Sequence, residues 1–386
     1  MAKIGIGILG GGGILGAHAP SYQKVSRLCQ VVAVAEPDTS RHERIRQLLG
    51  PQVQLYQDYR EVIALEAVAA VDIVLPHYLH LPATVAAARA GKPVLVEKVM
   101  GRNVYECDRM IEACAKAGVS LTVCHDRRYD SQWMALKEVV DSGVLGEIFY
   151  WKLEHNQNVV FPPESWVRSR DGLGGGAVMS CLTHQIDALR WYGGEFESVT
   201  CMTRVIPERM EGETIGVIAA RMQSGALANL SINWFTRSHR AGPDALWYEV
   251  VQVCGRQGEA YFMSGRGTFV LLHEPADRRA VRKYGAEALE RFVRVPAGTW
   301  GGHERCIGEW VKSLGGKRAQ LLTDGREVRG TVEVAEAAYR SAESGRTVKL
   351  PIKPRPWRNS SKSKLGPAQP KQSALADYVV GAGGRS

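Results

Sequence analysis

No stretch of the 386 residues approaches the ~18 charge-free apolar residues of a membrane span, so insertion into a membrane is not expected. Export through a cleavable signal is not expected either, because Met1-Ala2-Lys3-Ile4-Gly5 runs straight into a strand-like segment. The eight cysteines form no C-x-x-C pair, and no Cys/His cluster has zinc spacing. A chain this long can bury a sizeable core without a disulfide or metal staple, and no metal is expected. Scattered thiols, most of them serving as small buried residues, suit a reducing cytoplasm. Tryptophan is absent from the first 132 residues; all nine lie between Trp133 and Trp357. The net charge is +9, yet seven basic residues against the single acid Asp377 fall from Lys353 onward. The body is therefore near neutral, and neither a nucleic-acid nor a membrane partner is expected.

The composition that remains is ordinary for a soluble globular protein, 45 % hydrophobic and 23 % charged, and the length suits two or three domains. Strands are predicted at 4–9, 31–35, 73–75, 94–96 and 121–123, with amphipathic helical patterns between them at 40–49, 82–90 and 104–117. That alternation means βαβ units and a parallel sheet. Near-continuous Val/Ile/Leu within each run fits strands buried on both faces. Beyond residue 125 a helix at 177–192 and strands at 148–154, 198–205, 215–222, 226–234, 248–254 and 260–263 predict a mostly antiparallel sheet. Helices at 303–314 and 326–344 and a strand at 347–350 close the body. The chain thus reads as α/β, with a first domain at 1–125 and a second, α+β domain with an open sheet at 126–353. A basic tail at 354–386 is too poor in apolar residues to fold; within it only 375–380 could dock on the body.

The first strand runs into Gly10-Gly11-Gly12-Gly13-Ile14-Leu15-Gly16. A dinucleotide site needs glycine here for the tight turn and for close approach of backbone N–H groups to a pyrophosphate at a helix start. Of the two registers, Gly10-x-Gly12-x-x-Leu15 is preferred, since Gly10 directly follows the strand. Glu36 ends the second strand, at the distance where an acid accepts hydrogen bonds from the ribose hydroxyls and repels a 2′-phosphate. This favours NAD over NADP. Two further segments, Leu75-Pro76-His77-x-x-His80 and Glu97-Lys98, place polar residues just beyond strand ends, where ligands bind in such sheets. In the second domain, helical spacing puts Ser180, His184 and Asp187 on one face after the glycines at 174–176. A neutral histidine there suits proton abstraction near pH 7.

These segments, with His125-Asp126-Arg127-Arg128-Tyr129, Ser142-Gly143-x-x-Gly146 and Ala338-Tyr339-x-Ser341-Ala342-Glu343-x-Gly345, resemble the Gfo/Idh/MocA superfamily of NAD(P)-dependent sugar and cyclitol oxidoreductases over about residues 3–351. The resemblance implies a Rossmann domain followed by a domain whose open sheet forms a homodimer or homotetramer. It implies NAD as cofactor, held by Gly10, Gly12, Gly13, Ile14, Leu15, Glu36, Leu75, Pro76, His77, His80, Glu97 and Lys98. The implied reaction is hydride transfer between a secondary hydroxyl of a sugar, glycoside or cyclitol and nicotinamide. His184 would be the general base and Lys98 the group that stabilises the alkoxide. Lys98, Asp126, Arg128, Trp166, Arg168, Ser180, His184 and Asp187 are the expected substrate contacts. Three positions depart from the family: Val99 replaces the usual proline after Glu-Lys, Ser180 replaces an aspartate four residues before the histidine, and His77 stands where asparagine is common. A glycosidase using NAD transiently and a non-catalytic dinucleotide-binding regulator are the alternatives within the same superfamily.

Overall fold

The computed structural model describes residues 2–158, 160–235 and 247–358; the 375–380 docking segment lies outside them. Six strands, β1 (Ile4–Leu9), β2 (Cys29–Ala35), β3 (Gln54–Tyr56), β4 (Ala70–Ile73), β5 (Val94–Glu97) and β6 (Leu121–Cys124), form one sheet in the order β3-β2-β1-β4-β5-β6. Every pairing in it is parallel. The direction of strand addition reverses between β1 and β4, which opens a crevice at their carboxyl ends. The helices α1 (Leu15–Lys24), α2 (His42–Leu49), α3 (Tyr59–Ala64), α4 (His77–Arg89) and α5 (Val104–Ala117) connect the strands. Helix α5 starts at Asn103, whose side chain accepts from the Glu106 N–H, and ends at left-handed Gly118, the capping pattern expected of an isolated start and stop.

The second half contains α6 (Ser131–Asp141), the short α7 (Arg170–Leu173), α8 (Thr183–Gly193), α9 (Arg278–Tyr284), α10 (Gly302–Leu314) and α11 (Gly325–Ser344). Its strands are β7 (Ile148–Gln157), β8 (Phe196–Val205), β9 (Glu213–Met222), β10 (Leu227–Asn233), β11 (Trp247–Gly255), β12 (Gly258–Met263), β13 (Gly267–Leu272), β14 (Val293–Arg294) and β15 (Val348–Lys349). They form a sheet in the order β14-β13-β12-β11-β7-β10-β9-β8-β15, antiparallel except for β10 against β7. Along β9 burial alternates, with Ile218, Ala220 and Met222 inside, as one covered face demands. The other face carries Phe149, Met202, Val217 and Leu227 exposed.

Four features differ from the sequence reading. First, α10 lies in the second half by sequence but packs on the first domain: Cys306, Ile307, Trp310 and Val311 share a core with Ile6, Ile8, Leu15, Val34 and Ile45. One side of the parallel sheet is thereby covered by a helix from near the end of the chain, so the boundary at 126 is not a boundary of packing. Second, the segment before α8, read as continuous α-helix, is a π-helical turn over Val178–Leu182. Third, β3, β13 and α9 were not foreseen; the first and last are short, and neither shows clear periodicity. Fourth, the tail does not leave the body at 354. Arg340 donates to the Lys353 carbonyl at 2.7 Å, Asn103 to the Arg355 carbonyl at 2.9 Å, and the Arg102 guanidinium lies over the Trp357 ring. Peptide and cation–π contacts hold residues that composition alone would release.

The shared core of α10 is testable. Trp310 is fully buried among first-domain residues, so Trp310→Ala should cost about 3–5 kcal/mol of stability. Urea unfolding measures it; a loss below about 1 kcal/mol would show that α10 does not pack as described.

Candidate active site

The crevice begins at Gly10. Its φ is +111°, and a Cβ there would sit 2.5 Å from the Val74 carbonyl oxygen, so only glycine fits the turn. A Cβ on Gly12, by contrast, would meet nothing nearer than an Arg41 nitrogen at 3.8 Å. That leaves the backbone of the Gly12–Gly13–Ile14 turn approachable at the start of α1, while Leu15 turns fully into the core. This is the cradle a pyrophosphate requires. Glu36 is buried at the end of β2, accepting from the Gly11 N–H through Oε2 and from the Asp38 N–H through Oε1, both at 2.9 Å. Arg41 lies 3.5 Å from the same carboxylate.

The next strand ends are tied together by histidine. His80 links the Leu75 and Val99 carbonyl oxygens, each at 2.8 Å, and is fully buried. Its ring nitrogens are therefore taken by the fold. His77 sets its Nδ1 3.0 Å from the Leu173 carbonyl, and its ring meets Trp166 edge-on. Burial, then the neighbouring His80, hold it well below the usual histidine range. Glu97 is likewise engaged: Oε2 accepts from the Lys98 N–H at 3.0 Å, and Oε1 lies 2.9 Å from His18 Nε2. The Lys98–Val99 peptide bond is cis.

From this loop the Lys98 ammonium reaches across to the second domain and donates to the Ser180 carbonyl oxygen at 2.9 Å. Ser180 lies in the π-helical turn that leads into α8, an element that often marks functional sites. The turn changes the expected spacing, so Ser180, His184 and Asp187 do not act as one polar stripe. His184, one residue into α8, stands with its Nδ1 3.5 Å from Asp126 Oδ1, an ion-pair distance rather than a hydrogen bond. With Ser180 at the familiar aspartate position, this carboxylate arrives instead from the segment after β6. His184 nevertheless stays well below the usual histidine range. Burial is the main cause, followed by Arg127, Lys98, His125 and His155. It is held as the neutral, proton-accepting form.

Asp187 and Arg128, expected at the substrate, instead bind each other. The guanidinium donates from Nε and Nη2 to the two carboxylate oxygens at 2.8 and 2.9 Å, and Thr331 donates to Asp187 at 2.8 Å. Burial opposes ionisation of Asp187, but Arg128 and His125 outweigh it and bring its pKa to about 2. This bidentate pair is a buried brace between the segment after β6 and α8. Arg168 also points away, donating to the Glu208 carbonyl at 2.9 Å, while Trp166 stays beside His77. Asp126 remains near His184, with Oδ2 receiving Arg127 at 2.6 Å.

Several residues around His184 escaped the sequence reading. The rings of His125 and His155 lie 6.1 and 6.3 Å from it. Glu249, on the strand beside β7, lies 3.3 Å from His155 and 3.0 Å from Arg127. Cys181 is buried, as the sequence predicts for most cysteines, but is not inert. Burial raises its pKa, yet Lys98 and His155 outweigh that and lower it; burial likewise lowers the pKa of His155, but Cys181 and Glu249 outweigh that and raise it. All eight cysteines are free thiols. The pairing of β7 with β11 opposes His155 and Glu249, and no local motif in either strand signals that contact.

Fold and crevice together define a two-domain architecture whose first domain has the form of a dinucleotide-binding unit. Residues 4–125 match the oxidoreductase family with an NAD-binding Rossmann fold, and residues 133–261 match the GFO/IDH/MocA C-terminal domain. The chain belongs to the GFO/IDH/MocA oxidoreductase family, and its first domain is an NAD-binding Rossmann domain. It is 28 % identical over 294 residues to myo-inositol 2-dehydrogenase of Thermotoga maritima, covering 74 % of this chain and 83 % of the relative. Inositol 2-dehydrogenase of Streptomyces avermitilis is also 28 % identical, over 92 % of this chain and 96 % of its own. A 32 % match to inositol 2-dehydrogenase of Klebsiella pneumoniae spans only 53 % of that relative. Among solved structures, levoglucosan dehydrogenase in complex with NADH and levoglucosan superposes with a TM-score of 0.76 at 20 % identity, covering 91 % of this chain and all of the other. That likeness concerns the fold.

The neutral state of His184 can be observed directly. With labelled histidine, and with the His184→Gln spectrum for assignment, its ring signals should stay unprotonated at pH 6.5 and move only well below it. A midpoint at or above 6.5 would contradict the burial and cationic surroundings described.

Proposed function

We propose that this protein is an NAD-dependent dehydrogenase that oxidises a secondary hydroxyl of a sugar, glycoside or cyclitol. The observation that carries the reading is the Lys98–Ser180 hydrogen bond, which brings the lysine to the turn preceding His184. NAD, when bound, supplies the hydride-accepting nicotinamide. His184, neutral and buried, takes the hydroxyl proton. Lys98 donates to the same oxygen and stabilises the negative charge that develops there. Asp126, beside His184, steadies the imidazolium that proton transfer creates. Glu36 and the glycine turn hold the adenosine side, and the carboxylate disfavours a 2′-phosphate. Three relatives named for inositol oxidation support a polyol ring as substrate. The exposed apolar face of the second sheet supports a homodimer or homotetramer, and a cytoplasmic protein fits the free thiols. No helix among the described residues is long and apolar enough to cross a membrane.

The test begins with a panel of sugars, cyclitols and glycosides with NAD, read at the reduced-nicotinamide absorbance. On a confirmed substrate, His184→Ala and Lys98→Met should each lose about 10²–10⁴-fold in kcat, while calorimetry shows NAD affinity near that of the parent. Turnover within a few fold of the parent for His184→Ala would remove the proposed base. Glycoside hydrolysis without net NADH would assign the transient-redox reaction instead.

A further inference from the structure

Behind the Lys98 loop, four side chains that no sequence motif connects converge on one point. His18 comes from α1, Glu97 from the end of β5, Cys124 from the end of β6 and His303 from the first turn of α10. One ligand-type atom of each lies within 4.8 Å of all the others. His18 Nε2 and His303 Nε2 both face Glu97 Oε1, at 2.9 and 3.4 Å. We propose that this cluster is a structural binding site for a zinc-like divalent transition metal, ligated by His18, Glu97, Cys124 and His303.

Three observations support that assignment. Tetrahedral zinc with nitrogen, oxygen and sulfur ligands needs donor–donor separations of roughly 3.3–3.7 Å, so a cluster whose donors all lie within 4.8 Å of one another would have to draw together on the ion. The donor set of two imidazoles, one thiolate and one carboxylate selects zinc or cobalt over magnesium or calcium. The outer contacts also follow the pattern of metal-bound histidines, whose second nitrogen rests on a carboxylate. His18 Nδ1 makes that contact at hydrogen-bond length, 2.7 Å from Asp72 Oδ2, and His303 Nδ1 stands at an ion-pair distance, 3.4 Å, from Asp126 Oδ2. His18 and Glu97 bond to each other, and Cys124 and His303 give the point its third and fourth sides.

The site has three buried members and one at its rim. His18, Glu97 and Cys124 are buried, whereas His303 is about one-fifth exposed, at 22 %, which leaves a route for the ion. Its place in the fold defines its role. Glu97 would hold the ion through Oε1 while Oε2 keeps its hydrogen bond from the Lys98 N–H. The ion would thus fasten α10, the helix contributed by the far end of the chain, to the strand ends that carry the Lys98 loop. It would neutralise the Glu97 carboxylate and the Cys124 thiolate together, and it would take no part in bond making.

The test uses the untagged full-length protein, stripped with a chelator and titrated anaerobically with Co²⁺. Expected is one equivalent per chain, with the visible bands of a four-coordinate ion and a near-ultraviolet thiolate band, displaced by Zn²⁺. Cys124→Ser should abolish the thiolate band. His303→Gln, a change at a partly exposed residue, should weaken Co²⁺ binding at least ~10-fold with the circular dichroism spectrum kept. Absence of a stoichiometric thiolate band in the wild-type protein overturns the proposal whatever the variants do. A band that persists in Cys124→Ser, or affinity unchanged in His303→Gln, overturns it as well. None of these readouts uses catalysis, so they stand apart from the dehydrogenase assignment.

Discussion

The hydrogen bond from the Lys98 ammonium to the Ser180 carbonyl joins a strand end of one domain to a helical turn of the other. A reaction that needs groups from both depends on the two domains keeping one relative position. Several buried contacts maintain it. His77 reaches from the first domain to the Leu173 carbonyl, and within the second domain Arg128 and Asp187 form a buried bidentate pair that fixes α8 against the segment after β6. Helix α10 returns from the second half to fill one side of the parallel sheet. Buried ion pairs add little net stability when geometry is poor, but removing one partner of such a pair is costly. Here the fully partnered geometry specifies position.

Electrostatics divide the crevice into two zones. On the side of the second domain, burial, with Arg127 and Lys98 nearby, holds His184 neutral. Behind the lysine, His18 lies between the Asp72 and Glu97 carboxylates, and burial lowers its pKa less than those partners raise it. Two histidines about the same strand ends therefore have opposite proton affinities. The difference follows from the sign of the neighbouring charges, since both are buried. Asp126 touches both zones, facing His184 through one oxygen and His303 through the other.

Most of the parallel sheet was readable because its central strands are short apolar runs, and β1, β5 and β6 fall within a residue of their predicted bounds, whereas β3 is short and half polar and was missed. The glycine turn was readable for a steric reason, since the chain passes too close to Val74 for any side chain at position 10. The site was less readable wherever it depends on contacts distant in sequence. His155 and Glu249 meet by strand pairing, and His303 joins His18 and Cys124 because α10 folds back. Spacing along the chain carries none of this. Asp187 shows the limit of spacing within one helix: it follows His184 by three residues, yet its carboxylate is buried against the Arg128 guanidinium, a partner distant in sequence.

The most direct measurement is a structure of the protein with NAD and a polyol that it oxidises. The account predicts one polyol hydroxyl within hydrogen-bond distance of both Lys98 Nζ and His184 Nε2, with Arg128 and Asp187 still bound to each other. A polyol seated away from these two residues, or a hydroxyl held by Arg128 or Asp187 in their place, would contradict it.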